Sequence, residues 1–558
     1  MRRIRGIGVA AISLVLVAAC SPSEQPDARS GDAATRSASP TATRESPTAT
    51  SSPTETRESP PTARQAGPTV RAGWGPTRAE IDRARSLVAK LSLRERAGQV
   101  IVARYAGTGA PAGLVNSLHL GGVIVFDENI TSTDQLRRNN RQLQESATRE
   151  GRRFPVFVGV DQEGGIVERV KGAATRFPSF MTLGAAGTTS LTTRAAAASG
   201  AELRNLGFTV AFAPDADVTS GPNDPTIGSR SAGSSPRRVA TQVKAATQGY
   251  LSSGVLPVLK HFPGHGSVPA DSHLELPVQD KSLRQLLATD LVPFKSAVAD
   301  GVSSVMVAHI DVRAVDRGVP SSLSRKVITG LLRNRLGFDG LVVTDALNMQ
   351  AISDQFSSGQ SAVRALRAGA DVLLMPPSPR AARDGIVRAV RSGSLPRARL
   401  DQAAVRQVAM LIHQSKVTPS VKRRPGTSNG ISQRVSAAGA TVVSGPCSGR
   451  LVGSSVRASG PSEAVARFNA AAARAGLRTG SGTSVALIGY GGSSRSADVV
   501  VSMDTPYVLG QSTAGTAKIA MYGDTPGAMR ALVDVLVARA KAPGQLPVDV
   551  SGVPRGGC

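Results

Sequence analysis

Residues Val255–Pro277, VLPVLKHFPGHGSVPADSHLELP, pass from an apolar run into a segment crowded with histidine, glycine and proline. The first five residues suit a strand buried on both faces, since no polar position interrupts them. Beyond Lys260 the glycines and prolines rule out a regular helix. Three of the protein's six histidines, His261, His265 and His273, fall within this loop, beside Lys260 and Asp271. A core histidine sits alone among apolar residues. Titratable side chains gathered on a Gly/Pro-rich loop after a buried strand describe a functional site.

Seven further apolar runs flank this one before residue 380: Gln99–Ala103, Gly122–Phe126, Pro155–Val160, Val210–Ala213, Ser304–Ala308, Leu341–Thr344 and Asp371–Met375. Helical patterns such as Ala195–Leu206 and Ser361–Ala368 separate them. Eight such units over roughly 300 residues predict an α/β fold of the (β/α)8 barrel type, with a doubly wound open sheet as the competitor. The barrel places active residues at the carboxyl ends of its strands. Polar clusters do follow the third to seventh runs: Asp161-Gln-Glu-Gly-Gly165, Pro214-Asp-Ala-Asp217, Lys260-His261, His309 and Asp345.

The basic, Pro-containing stretch 415–429 reads as a linker. Beyond it, Gly439–Ser444, Ser484–Ile488, Ala497–Met503 and Lys518–Met521 are strand-like, with helices at Ala464–Ala475 and Thr525–Ala540. They predict a smaller α/β sandwich domain after the barrel. Gly489-Tyr-Gly-Gly492 follows a strand, but its spacing matches no nucleotide fingerprint and reads as a turn.

At the other end, Arg2, Arg3 and Arg5 precede an apolar run and then Val17-Ala-Ala-Cys20. That order reads as an export signal, too short in its apolar part to span a bilayer. The ending resembles a bacterial lipobox, which implies cleavage before Cys20 and lipidation of its thiol. Ser21–Ala72 is rich in Ser, Thr, Pro and Ala, and TRESPTA at Thr43–Ala49 nearly recurs as TRESPPTA at Thr56–Ala63. With almost no large apolar residues it predicts a solvated tether. The expected order is therefore a leader over 1–19, a tether over 20–73, a barrel over 74–414, a linker over 415–429 and a sandwich over 430–558. The expected location is outside the cytoplasm, lipid-anchored to a bacterial membrane.

The formal charge of +26, less the three leader arginines, leaves +23 on the mature chain. Basic and acidic residues are mixed throughout the folded part, and aromatic content is only 3%. That leaves few stacking platforms for bases, so although a basic excess first suggests nucleic acid, no nucleic-acid partner is expected. Besides Cys20 only Cys447 and Cys558 remain, and in an exported protein they can pair.

KHFPGHG with DSH and LP, DQEGGIVERV, IGSRS and VVTDALNM occur in this order. Together they resemble glycoside hydrolase family 3, and its β-N-acetylglucosaminidase branch more than its β-glucosidases. The resemblance covers about Trp74–Gln414 and weakens in the second domain, where Tyr522–Val548 is similar to the family's carboxyl-terminal sandwich. IGSRS is followed by Ala232-Gly233 where the family commonly has Phe-Gly.

The resemblance implies Asp345 as nucleophile, His273 as acid/base and Asp271 as the group orienting His273. A helix N-cap is the bland alternative for Asp345, because a helical pattern, Ala346–Ile352, follows it. Retaining glycoside hydrolysis needs a nucleophile on one face of the sugar and a proton donor on the other. An imidazole, with a reference value of about 6.5, gives and takes a proton near neutrality. Asp161, Arg169, Arg230, Lys260 and His261 match the family's sugar-holding residues. His265 is expected to shape the loop, His309 to line the pocket floor, and His119 and His413 to be structural. His261–His265 has HxxxH spacing but lies on a loop and lacks the glutamate of the zinc-protease motif, so no metal and no cofactor is expected.

The activity implied is an exo-acting retaining β-N-acetylglucosaminidase releasing N-acetylglucosamine from muropeptides or related oligosaccharides. The rival readings are a phosphorylase using phosphate as acceptor and a non-catalytic sugar-binding lipoprotein.

Overall fold

The eight apolar runs all form strands, in a computed structural model that describes residues 73–553. They are β1 (Ile101–Ala103), β2 (Gly122–Val125), β3 (Phe157–Val160), β4 (Val210–Ala211), β5 (Leu256–Pro257 continuing as Leu259–Phe262), β6 (Ser304–Val307), β7 (Leu341–Thr344) and β8 (Leu373–Leu374). Valine, isoleucine and leucine fill them, and nearly every strand position is buried, as parallel strands covered on both faces require. Every neighbouring pair is parallel, in the order β8-β1-β2-β3-β4-β5 and β5-β6-β7.

Closure decides between the two expected folds. Val343 bridges Val372 in parallel, and the Thr344 amide donates to the Val372 carbonyl at 3.0 Å, which joins β7 to β8. The sheet therefore has no edge on that side, and the open doubly wound alternative is excluded. Strand β5 breaks at Val258, next to Pro257, a residue that cannot donate to a ladder. The strand changes partner there: its first half pairs with β4 and its second with β6.

The expected helix ends fall within one residue of those observed at Asn205 and Ala368, while the observed starts, Thr189 and Ser358, lie six and three residues earlier than expected. The stretch after Asp345 differs. No helix begins at Ala346; a turn intervenes, and a single helical turn runs Gln350–Ser353 with Met349 at its cap.

The second lobe holds a six-stranded sheet of β9 (Thr441–Ser444), β10 (Ser455–Ser459), β11 (Arg478–Thr479), β12 (Thr483–Ile488), β13 (Ser496–Ser502) and β14 (Thr513–Ala520). Its order is β9-β14-β13-β12-β10-β11, parallel except for β9 against β14. β10 and β11 have no counterpart among the expected strands, because their short, polar sequences carry no apolar signal. One face packs helices Ser462–Arg474 and Pro526–Leu536. On the other face, Met181 and Ala185 of the barrel share an apolar cluster with Val500, Leu509 and Tyr522.

Ser179 Oγ donates to the Tyr522 carbonyl at 2.7 Å, and Ser234 N donates to the Pro547 carbonyl at 3.1 Å. The stretch between the lobes is pinned too: the amides of Gly426 and Ser428 donate to the buried Glu202 carboxylate at 2.9 and 3.1 Å. Barrel and second lobe thus belong to one compact unit.

The leader, the tether and Cys20 lie outside the described residues. Cys447 is disulfide-bonded. Its expected partner Cys558 also lies outside the described residues, as does Cys20.

Candidate active site

Alternation along extended backbone sets the first part of the site. Asp161 and Glu163, two residues apart after β3, both reach Lys260, whose Nζ lies 2.6 Å from Asp161 Oδ1 and 2.7 Å from Glu163 Oε1. Arg230 donates to Glu163 through Nε and Nη2, both at 2.9 Å, a two-pronged pair. Burial alone would raise the Glu163 carboxyl, but the two cations outweigh it and hold the group well below the usual carboxylate range. Burial works against Arg230 and Lys260 as well, yet the facing carboxylates hold both above their ordinary values.

A second i, i+2 pair follows β4. Asp217 accepts from the backbone amides of His261 and His265 at 3.3 and 2.6 Å and faces His261 Nδ1 at 2.7 Å. Asp215 Oδ2 has no hydrogen-bond partner, the nearest cation being Arg230 Nη2 at 3.7 Å. The pair splits accordingly. Burial, then the neighbouring Asp217 charge, push Asp215 well up; Asp217, although burial opposes it, is lowered by the His261 imidazole. Arg230 Nη2 lies 3.2 Å from His261 Nε2, which makes Nε2 the acceptor and places the ring proton on Nδ1, toward Asp217. Asp215, Asp217 and His261 bring donor atoms within 4.8 Å of one another, a spacing that would suit a cation. Arg230 already supplies the positive charge at that point, and Asp217 and His261 satisfy each other, so these residues do not fit a resident metal.

Asp345 ends β7. Its amide donates to the Val307 carbonyl at 2.9 Å, and its Oδ1 accepts from the Ala346 amide at 2.7 Å. Because no helix starts here, the N-cap alternative for Asp345 falls. Burial pushes its carboxyl up, but the nearby histidines, His309 first, and the Ala346 amide bring it down to about 2. His309 is fully buried behind Asp345, contrary to the expectation that it lines the pocket. Its Nδ1 meets Ser322 Oγ at 2.7 Å and its Nε2 the Ala346 carbonyl at 3.0 Å. Burial lowers its proton affinity, which suits a neutral ring donating to that carbonyl.

The loop after β5 brings the remaining pair. His273 Nδ1 lies 2.7 Å from Asp271 Oδ1, and the same oxygen accepts the His273 amide at 2.9 Å. Burial would raise the Asp271 carboxyl; these two contacts, with the nearby His265, lower it instead. The His273 side chain is 62% exposed, at the mouth rather than the floor. His265 ties the loop down: its Nε2 meets the buried Ser272 Oγ at 2.9 Å, while burial drives its own value down to about 4. Turned so that its amide nitrogen faces them, the Gln350 side chain donates to the His273 and Leu274 carbonyls at 3.2 Å, joining this loop to the one after β7.

Asp345 and His273 line one cavity of about 370 Å³, together with Asp161, Arg169, Arg230, Lys260 and His261. The residues expected at the site line it except His309, buried beneath it, and Asp271, which stands behind His273. Arg169 lies over the Phe126 ring, 5.5 Å from its centroid. Glu163 and Asp217 belong to polar clusters the sequence places at strand ends but were given no role of their own, and Arg104 escaped the sequence reading. The first two were legible, since each repeats a carboxylate two residues from another along extended backbone. Arg104, also over Phe126 and paired with Glu128, follows β1 without any motif to mark it. His119 and His413 lie away from the cavity, at 3.7 Å from Glu95 and 2.9 Å from Glu80 respectively.

Comparison with known proteins fits this geometry. Residues 92–411, more than half of the chain, match the model of the glycosyl hydrolase family 3 N terminal domain. β-Hexosaminidase A of Pseudoalteromonas piscicida is 37% identical over 279 residues, 47% of each chain, so this chain spans about half of that relative's length. β-Hexosaminidase LpqI of Mycobacterium tuberculosis is 36% identical over 332 residues, 58% of this chain and 83% of the relative. Among solved structures, a glycoside hydrolase family 3 β-N-acetylglucosaminidase from Paenibacillus sp. FPU-7 superposes with a TM-score of 0.75 at 29% identity, over 83% of this chain and 99% of that one. The barrel, its strand-end carboxylates and the matched span lead to one conclusion: this chain belongs to glycosyl hydrolase family 3.

Proposed function

We propose that the protein is an exo-acting, retaining β-N-acetylglucosaminidase. The observation that carries this reading is the shared cavity: an ionised Asp345 and His273, with Asp271 behind it, face the same space, beside a buried nest of Asp161, Glu163, Arg230 and Lys260. The similarity to β-hexosaminidases and to a β-N-acetylglucosaminidase supports the sugar class.

The chemistry follows from the atoms. Asp345, held at about 2, is a carboxylate throughout the neutral range and attacks the anomeric carbon as the bond to the leaving oxygen breaks. His273 presents Nε2, because Nδ1 faces Asp271, and it gives its proton to that oxygen. The resulting neutral imidazole then takes a proton from water. The water oxygen bonds to the anomeric carbon and Asp345 departs as a carboxylate, so configuration is retained over two inversions. Asp271 positions the ring and stabilises its cationic form. Asp161, Lys260, Arg230 and His261 hold hydroxyls of the terminal sugar, with Glu163 fixing the two cations.

The substrate on this reading is an N-acetylglucosamine-terminated oligosaccharide, with cell-wall muropeptides or chitin-type chains as its source. Export and lipid anchoring at Cys20 are supported by the sequence alone; Cys20→Ser should release the protein from membranes, and retention would sink that part. The activity is tested with a chromogenic N-acetylglucosaminide in buffers with and without phosphate. Turnover to free sugar in both supports the hydrolase. A sugar phosphate formed only with phosphate makes it a phosphorylase, and no turnover in either makes it a binder.

A further inference from the structure

A second cleft adjoins the catalytic cavity. Thr226 and Ile227 line both, so the two spaces meet along one short loop of the barrel. The Asp224 carboxylate fixes that loop by accepting the amides of Thr226, Ile227 and Gly228 at 3.2, 2.8 and 3.2 Å. The opposite wall belongs to the second lobe: the Gly489–Ser494 turn after β12 and residues around Asp504. Asp504 accepts the Ser229 hydroxyl, which ties the two walls together one residue from Arg230.

Two features of the cleft point to a ligand. Tyr490 is 66% exposed, one of three large apolar side chains left open among the described residues. It stands between Gly489, packed against Pro461, and Gly491, where a side chain would meet nothing within 4 Å, so the tip of the turn is open while its base is held. Thr226 Oγ1, where the two spaces adjoin, is enclosed and has no hydrogen-bond partner among the described residues. An exposed aromatic ring and an unpartnered hydroxyl are what the apolar face and the hydroxyl rim of a pyranose require.

Charge narrows the choice. Among the described residues no lysine or arginine lines the cleft, whose acidic groups are Asp224 and Asp504. Arg104, Arg169, Arg230 and Lys260 line only the neighbouring cavity. A carboxylate-bearing aglycone would find no counter-charge here.

We propose that this cleft is the aglycone subsite and that it seats a neutral pyranose, with Tyr490 stacked on the ring, so that chitin-type oligosaccharides are preferred over muramic-acid-bearing ones. The inference rests on the N-acetylglucosaminidase reading and adds a substrate class to it.

Calorimetry on the full chain carrying Asp345→Asn tests it, with N-acetylglucosamine, chitobiose, chitotriose and the N-acetylglucosaminyl-N-acetylmuramic acid disaccharide as probes. Chitotriose should bind at least about tenfold more tightly than the monosaccharide, and chitobiose more tightly than the muramic disaccharide. Adding Tyr490→Ala should cut the trimer-to-monosaccharide affinity ratio by about 3- to 10-fold, the size of one aromatic stacking contact, and Tyr490→Phe should restore it. A ratio unmoved by Tyr490→Ala, or a muramic disaccharide bound as tightly as chitobiose, overturns the inference and leaves the enzymatic reading standing. Failure of every sugar to bind, with no chromogenic turnover by the unaltered chain, overturns both.

Discussion

Glu163→Gln removes one negative charge from a buried nest that holds two cations. Lys260 would keep Asp161 at 2.6 Å. The amide keeps one acceptor oxygen, so Arg230 would lose one of its two 2.9 Å bonds together with its charge partner; it retains His261 Nε2 at 3.2 Å and Asp215 at 3.7 Å, a carboxyl that burial and Asp217 push toward its neutral acid. Removing one partner of a buried ion pair costs about 3–5 kcal/mol, because the other charge is left uncompensated. The surviving Lys260–Asp161 pair places this case at the low end, about 3 kcal/mol, or roughly a hundredfold in the folding equilibrium. Urea unfolding with matched m-values measures it. Adding Arg230→Met removes the stranded guanidinium and should restore at least about 1 kcal/mol, a coupling that a double-mutant cycle reads directly. A loss below about 1 kcal/mol for the single change, or a double variant as unstable as the sum of the two, refutes the argument.

Four further outcomes follow from the structure. Asp345→Ala should abolish glycosyl-enzyme formation; and because Asp345 sits at about 2, the first step on a substrate with a good leaving group should show no acid limb between about pH 4 and 6 in the unaltered protein. His273→Ala should slow both steps yet spare the first for good leaving groups, and an equal loss on every leaving group would count against its proton-transfer role. Glu80 is lowered from 4.5 to about 2: burial opposes this, but the Thr77 amide, His413 and Lys416 prevail. A depressed carboxyl stabilises the fold above its unfolded value and loses that contribution as pH falls toward 2, so Glu80→Gln should cost about 1–3 kcal/mol at neutral pH and flatten the acid unfolding curve in that window. Gly184→Ala would set a methyl 1.8 Å from the Ala232 carbonyl oxygen, and should lower stability by about 1–3 kcal/mol in thermal unfolding, with wild-type stability disproving the close packing.

Much of this was legible because it is local. The parallel strands announce themselves as unbroken apolar runs, and the residues that follow them fall at one end of a barrel whichever way the ring closes. Asp161, Lys260, His261, His273 and Asp345 could be placed on that basis. Glu163 and Asp217 carried a readable signal in their i, i+2 spacing, but a carboxylate beside another carboxylate does not reveal which cation it meets. Ala346–Ile352 misled because its helical pattern is overridden by the turn that holds the Asp345 carboxylate on the Ala346 amide. The strands β10 and β11 were invisible because their polar sequences are recruited to the sheet by neighbours rather than by their own residues.

The amino-acid order by itself determined the alternation of strand and helix and the end of the barrel that carries chemistry, since each depends on side-chain periodicity over a few residues; the nucleophile and imidazole candidates came from the resemblance of its motifs to those of a known family. Only the tertiary structure decided that the ring closes through Val343 and Val372, that Arg230 and Lys260 share Glu163, and that Tyr490 of the second lobe lines a cleft adjoining the catalytic cavity. Those facts join residues tens to hundreds of positions apart, and such pairings are fixed by packing and charge balance in three dimensions, which no local pattern encodes.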